Sequence, residues 1–324
     1  MANNPLEQLR DMTQKELEQW MDGMNDEEFD DWLISAGLLH SFQTCDTCGE
    51  HMTLQGRNRV WVCNRRACRQ GNTKPTKGIL AGTFFEEAHE PRKRVFLLSY
   101  LWLQGRLTVK DIEYEHKISH NAIVYWMDKF RKICSRYFDH HPIGVGGNNV
   151  VVEVDETYIT ARHGRRGRWV RRHPFWIFGG IERGSGLAFL IPVPDRKAVT
   201  LLQLIGFHVR PGILIFHETS HFQVPFLVPT CGELTVASGR CHSVSDIGPL
   251  ITDFVDPVNR RAHSQGVENL WSQWKACVRR PYGIHDPQYE DHINEFTWHQ
   301  RFGRIDERLH NFWAHVAEVI RCNH

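Results

Sequence analysis

The sequence predicts an α/β protein: a mixed sheet covered by helices, preceded by a small metal-stapled ribbon and a helical module. Three stretches carry that expectation. The run Val150 to Ile159, VVVEVDETYI, is β-branched with few polar interruptions, the pattern of a buried central strand. Cys45, Cys48, Cys63 and Cys68 fall in two close pairs. Between 175 and 217, two strand-like segments, one amphipathic helix and a further apolar strand follow in that order.

A chain of 324 residues has room for one sizeable core and one or two small modules. Its 41% hydrophobic and 24% charged content is ordinary for a soluble globular protein. No apolar run reaches membrane-spanning length and the N-terminus lacks a signal-peptide pattern, so an intracellular protein with no membrane partner is expected. Nine cysteines, an odd number with four clustered, fit metal ligation and free thiols better than a disulfide framework. The formal net charge is only +1, but it is unevenly placed. Acidic residues dominate positions 1–40, whereas arginines gather at 57–69, 92–94, 162–172 and 279–280. Separate basic patches on a neutral chain point to a polyanion partner for particular surfaces.

In order along the chain, 1–40 reads as short amphipathic helices with Leu17, Trp20, Met21, Phe29, Trp32 and Leu33 as apolar positions and Gly37 as a stop. The acidic face argues against DNA contact there and favours a helical cap or an oligomerisation arm. Residues 41–75 form the ribbon. Cys45-x2-Cys48 on a turn closed by Gly49, then Cys63-x4-Cys68, supply what a tetrahedral four-thiolate zinc site needs. So small a segment cannot fold on apolar burial alone, and zinc would supply much of its stability. Arg57, Arg59, Arg65, Arg66 and Arg69 surround the cluster and are candidates for phosphate contact.

Residues 90–140 read as three helices. The first ends near Gly105, the second starts at an N-cap Thr108 with Asp111 in its first turn, and the third starts at an N-cap Ser119. A short helix, a turn at Lys117-Ile118 and a longer helix fit helix-turn-helix geometry, with His120, Asn121 and Tyr125 facing a groove; a plain helical bundle fits nearly as well. A glycine-rich boundary, Gly144 to Asn148, is expected to be flexible.

The main domain is expected over 150–305, with a C-terminal packing helix over 306–324. Glu153 and Asp155 share one face of the central strand and Glu156 takes the other. An acid at the end of such a strand needs a partner, either a divalent cation or a nearby arginine. The hairpin that follows carries Arg162, Arg165, Arg166, Arg168, Arg171 and Arg172 between glycines, as a solvated loop or, beside Asp155, as a cradle for the DNA backbone. Strands at Phe175–Ile181 and Leu187–Val193 precede a helix capped by Asp195, and a fourth strand, Ile213–Phe216, runs into His217-Glu218. Three strands, a helix and a parallel fourth strand give the order of a ribonuclease-H-like fold. A later helix, about 266–278, holds Glu268 near its start, with Trp271 and Trp274 as core positions and Lys275 as either a surface lysine or a phosphate contact. Carboxylates from the first strand, the fourth strand and this helix can converge on two divalent cations, a pair suited to in-line phosphoryl displacement.

On these residues the chain resembles the Merlin superfamily of DDE transposases and the related bacterial insertion-sequence transposases. The resemblance is carried by the cysteine ribbon, Gly82-Thr-Phe84, Val152-Glu-Val-Asp-Glu-Thr-Tyr158, Trp176 to Arg183, Val193-Pro-Asp-Arg196, Val209-Arg-Pro-Gly212, Phe254-Val-Asp-Pro257 and His263-Ser-Gln-Gly-Val-Glu-Asn-Leu-Trp271, in the family's order over about 38–305. It implies metal-dependent cleavage at transposon ends and strand transfer to target DNA. Magnesium or manganese would sit at the catalytic acids and zinc in the ribbon. The implied partner is double-stranded DNA, both terminal inverted repeats and target, with the chain acting as a homo-oligomer. By position Asp155 matches the first acid and Glu268 the third.

The second acid departs from the pattern. The family places an Asp after the fourth strand, whereas this chain has Glu218, and 220–249 matches poorly. One added methylene displaces the carboxylate, and sites of this kind tolerate little misplacement. Two outcomes therefore stay open: an active transposase using Asp155, Glu218 and Glu268, or a transposase-derived DNA-binding protein with weak or lost cleavage. The implied location is nuclear in a eukaryote and cytoplasmic otherwise.

Overall fold

The computed structural model describes residues 4–56, 59–69, 71, 73–147, 150–159, 175–210, 214–217, 265–278 and 288–322. They divide into two compact units, Met1–Tyr137 with Phe302–His324, and Phe138–Arg301. The protein is mixed α/β, with two small sheets.

In the first unit a 3-10 turn at Pro5–Leu9 leads into α1 (Gln14–Asp22) and α2 (Asp26–Ser35). Both helices start in capping boxes, Thr13 with Glu16 and Asn25 with Glu28, so each satisfies its own first amides. Gly37, at φ 73°, ends this segment. Two acids of α2 are paired within the chain. Buried Asp30 takes a two-point ion pair from Arg92, and Asp31 pairs with Arg59 at 2.5 Å. The ribbon follows as three antiparallel strands, β1 (Thr53–Gln55), β2 (Val60–Val62) and β3 (Thr76–Gly78).

Three helices then form the helical module: α3 (Arg92–Gln104), α4 (Val109–His116) and α5 (His120–His140). Gly105 ends α3 in the left-handed region, Thr108 and Asp111 form the capping box of α4, and Ser119 accepts from Ala122 N–H at 3.3 Å. The punctuation expected from sequence is the punctuation observed. The C-terminal helix α9 (Arg308–Cys322) packs its Phe312 and Trp313 among Phe85, Phe96, Trp102 and Phe130.

In the second unit β4 (Val151–Ile159), β5 (Phe175–Glu182), β6 (Ala188–Val193) and β7 (Leu214–His217) form one sheet in the order β6-β5-β4-β7. The first three are antiparallel neighbours and β7 runs parallel to β4. Helix α6 (Ala198–His208) makes the crossover. Alternation along β4 splits its side chains between two cores. Val152 and Val154 join Phe178, Phe189 and Leu201 of α6 on one face, while Ile159 and Ile177 face Val267, Leu270, Trp271 and Trp274 of α7 (Gln265–Val278) and Ile293 and Phe296 of α8 (Tyr289–Phe302) on the other.

The segment before β4 differs from the expected flexible boundary. Val145 bridges Val209, and Gly146 N–H donates to Glu182 Oε2 at 2.7 Å, so Val145 and Gly146 are tied to the sheet unit. Its glycines serve conformation, with Gly146 at φ 87°.

Candidate functional site

The ribbon brings its four cysteines together. The Sγ atoms of Cys45, Cys48, Cys63 and Cys68 all lie within 4.8 Å of one another, and those of Cys48 and Cys63 are 3.9 Å apart. Tetrahedral zinc with Zn–S bonds of about 2.3 Å needs sulfurs about 3.8 Å apart, so this spacing fits such a centre. Local backbone creates it: Gly49, at φ 70°, returns its N–H to Cys45 O at 2.8 Å, and Cys68 ends the 3-10 turn Arg66–Cys68. Trp61, Met52 and Leu54 pack against the thiols. Backbone N–H groups of Thr47 and Cys48 lower the Cys45 thiol to about 6, while neighbouring Cys48 and burial push Cys68 up to about 12. Thiols so crowded do not all ionise without a cation among them. Among the described residues this is the one group of three or more potential ligands gathered closely enough for a metal.

The second arrangement sits on the α7 face of β4. Glu153, 1% exposed, accepts the backbone N–H groups of Gly266 at 2.7 Å and Val267 at 3.1 Å with Oε2, and its Oε1 takes an ion pair from Arg183. A helix N-terminus leaves its first amides unsatisfied and carries partial positive charge, so a carboxylate from the neighbouring strand meets both needs. Gly266 is required there, because a Cβ at that position would lie 2.8 Å from Oε2. Glu268, half-buried, follows in the first turn of α7. With Glu153, Glu182, Arg183, Asn269 and Ser272 it lines an open groove.

One strand pair and one helical turn farther along, Asp155 is half-buried and accepts the Trp271 indole N–H at 3.1 Å through Oδ2. Gly179, the β5 residue opposite Asp155, makes this possible. A Cβ at 179 would lie 2.6 Å from Trp271 Cη2. Thus two acids on one face of β4 each hold the helix that carries Glu268. Glu156, on the opposite face, is instead paired with Arg196 at 3.4 Å, which lies over the Trp176 ring.

The ladder between β4 and β7 ends with His217 opposite Val154. Glu218, the next residue, lies outside the described residues, as do Arg162, Arg165, Arg166, Arg168, Arg171 and Arg172 and the segment 220–249. Lys275 is half-buried on α7. In the first unit His120 and Asn121 are exposed at the start of α5, and Tyr125 donates to Glu87 at 2.7 Å beside Lys129. Of the ribbon arginines, Arg59 is committed to α2 and Arg65 to Glu50 at 2.6 Å.

Sequence reasoning missed two participants. The sequence pattern places Glu153 on the face of Asp155 and Trp271 in the core, and carries no local signal for the contacts that they make. Among the described residues, no helix is long and apolar enough to cross a membrane. Comparison with family models, curated proteins and solved structures finds no match.

Proposed function

We propose that this chain is a DDE-type DNA transposase of the Merlin kind, with a ribonuclease-H-like catalytic domain, that cleaves transposon ends and transfers the freed strand to target DNA. The observation that carries the proposal is the tethering of the Glu268 helix to the Asp155 strand by the Glu153 and Trp271 contacts. The strand order, with a parallel fourth strand laid against β4 and ending at His217, supports it.

In this proposal Asp155, Glu218 and Glu268 would hold divalent cations, and the chemistry such ions would supply is charge stabilisation at a phosphodiester. Asp155 is fixed by the indole of Trp271, and Glu268 by the capped N-terminus of α7. The groove beside Glu268 offers Asn269 and Ser272 as hydrogen-bonding groups for a phosphodiester backbone. Arg162, Arg165, Arg166, Arg168, Arg171, Arg172 and Lys275 supply positive charge for DNA, and His120 and Asn121 present donors and acceptors at the start of α5. Zinc in the four-cysteine site is structural, because four thiolates leave no open position for a reacting water. Acting as a homo-oligomer on paired ends follows from the resemblance.

The experiment is strand cleavage by the full chain, with Mg2+ or Mn2+, of a duplex ending in the repeats that flank its gene. Metal-dependent nicking that is lost in Asp155→Ala supports the proposal. Salt-sensitive binding without nicking replaces it with a DNA-binding protein that has lost cleavage.

A further inference from the structure

Helix α7 carries two tryptophans one turn apart, and their indole nitrogens have different surroundings. Trp271 and Trp274 are 2% and 1% exposed and belong to the same apolar core. Burial of the ring therefore explains both equally. The Trp274 indole N–H has no hydrogen-bond partner among the described residues, whereas that of Trp271 reaches Asp155 Oδ2 at 3.1 Å. The sheet has also been cut away to admit it: Gly179 stands opposite Asp155, and any side chain there would collide with the Trp271 ring. A core position needs only the ring; this position also uses the N–H.

Resting on the proposed function above, we infer that Trp271 is a positioning residue for Asp155. Its indole N–H fixes the carboxylate through Oδ2 and so sets the orientation in which Asp155 meets a divalent cation. It also couples that orientation to the helix that carries Glu268, three residues earlier. Partners that hydrogen-bond a ligating carboxylate tune metal affinity by about 10–100-fold.

The test pairs Trp271→Phe with Trp274→Phe in the full chain, since both shrink the same core and only one removes a bonded N–H. Mn2+ binding is followed by the relaxation of water protons and, separately, by the Mn2+ concentration that half-saturates DNA nicking. The expected result is a weakening of about 10–100-fold for Trp271→Phe and none for Trp274→Phe, at matched thermal stability loss. Equal effects of the two substitutions, or none from either, overturn the inference while leaving the nuclease proposal intact. A wild-type chain that neither binds Mn2+ outside the cysteine site nor nicks DNA overturns both. Should Trp271→Phe fail to fold, the 15N-labelled wild-type chain decides: the Trp271 indole resonance shifts on Mg2+ addition while that of Trp274 stays, and an unmoved Trp271 resonance overturns the inference.

Discussion

The carboxylate of Glu153 caps the helix that begins at Gly266, accepting its N–H at 2.7 Å across 113 residues of sequence. This contact ties β4, the strand of Asp155, to α7, the helix of Glu268. It also limits the helix start, where a Cβ at Gly266 would lie 2.8 Å from Glu153 Oε2.

Replacing Glu153 by Gln keeps the volume and removes the charge that Arg183 and the helix N-terminus face. Breaking one side of a buried ion pair costs about 3–5 kcal/mol, and the 23% exposure of Arg183 places the expected loss near the low end, about 3 kcal/mol. Urea unfolding of the full chain measures it. A loss below about 0.5 kcal/mol, the range of an ordinary surface change, removes Glu153 from the account.

Gly179→Ala forces a methyl against Trp271 Cη2 and the Phe189 carbonyl, which would lie 2.6 and 2.9 Å away. The backbone oxygen cannot swing aside as a flexible side chain does. Overpacking of this kind costs about 1–3 kcal/mol, and thermal unfolding should show it together with altered near-UV signal from the tryptophans. A neutral substitution would show that the close approach of ring and sheet is wrong.

Removal of zinc should melt the ribbon and leave the sheet unit folded. Metal analysis is expected to give one zinc per chain, lost in Cys63→Ser, and proteolysis after chelation should cut between 45 and 78 first. Affinity should fall as pH falls, since the ligands bind as thiolates. Retained protease resistance of the ribbon after complete zinc loss contradicts this.

His208 gives the sheet unit a pH dependence. Burial holds its imidazole below the ordinary value of 6.5, against the opposing bond to the Ile143 carbonyl at 2.8 Å, and its ring stacks on Phe189. The unfolded chain therefore binds the proton more readily than the folded one. Its stabilising contribution is complete above pH 6.5 and is lost as pH falls through the lowered folded value. Unfolding of His208→Gln should show a smaller slope of stability between pH 7.5 and 5 than the unsubstituted chain, and identical slopes would exclude His208 as the source.

The elements and the clustered cysteines were legible in the sequence because their signals are local. Thr108 three residues before Asp111, Gly105 after α3, and Cys45-x2-Cys48 each act within one turn of chain, and the Val-rich run of β4 announces its own burial. The tethers were not legible. Glu153 meets Gly266 and Asp155 meets Trp271 across 113 and 116 residues, and nothing in the local pattern distinguishes a capping Glu from a solvated one or a bonded indole from Trp274 beside it. The acidic N-terminal helices show the same boundary: composition revealed the charge, but only the fold shows Asp30 and Asp31 meeting Arg92 and Arg59.

Whether the three acids share a cation is tested most directly by loading the full chain with Fe2+ in place of Mg2+ and adding ascorbate and peroxide, so that radicals cut the polypeptide beside the bound ion. The account predicts cuts clustered near positions 155, 218 and 268, suppressed by excess Mg2+ and absent in Asp155→Ala. Cuts confined to the cysteine ribbon, or near 155 and 268 without any near 218, would contradict it.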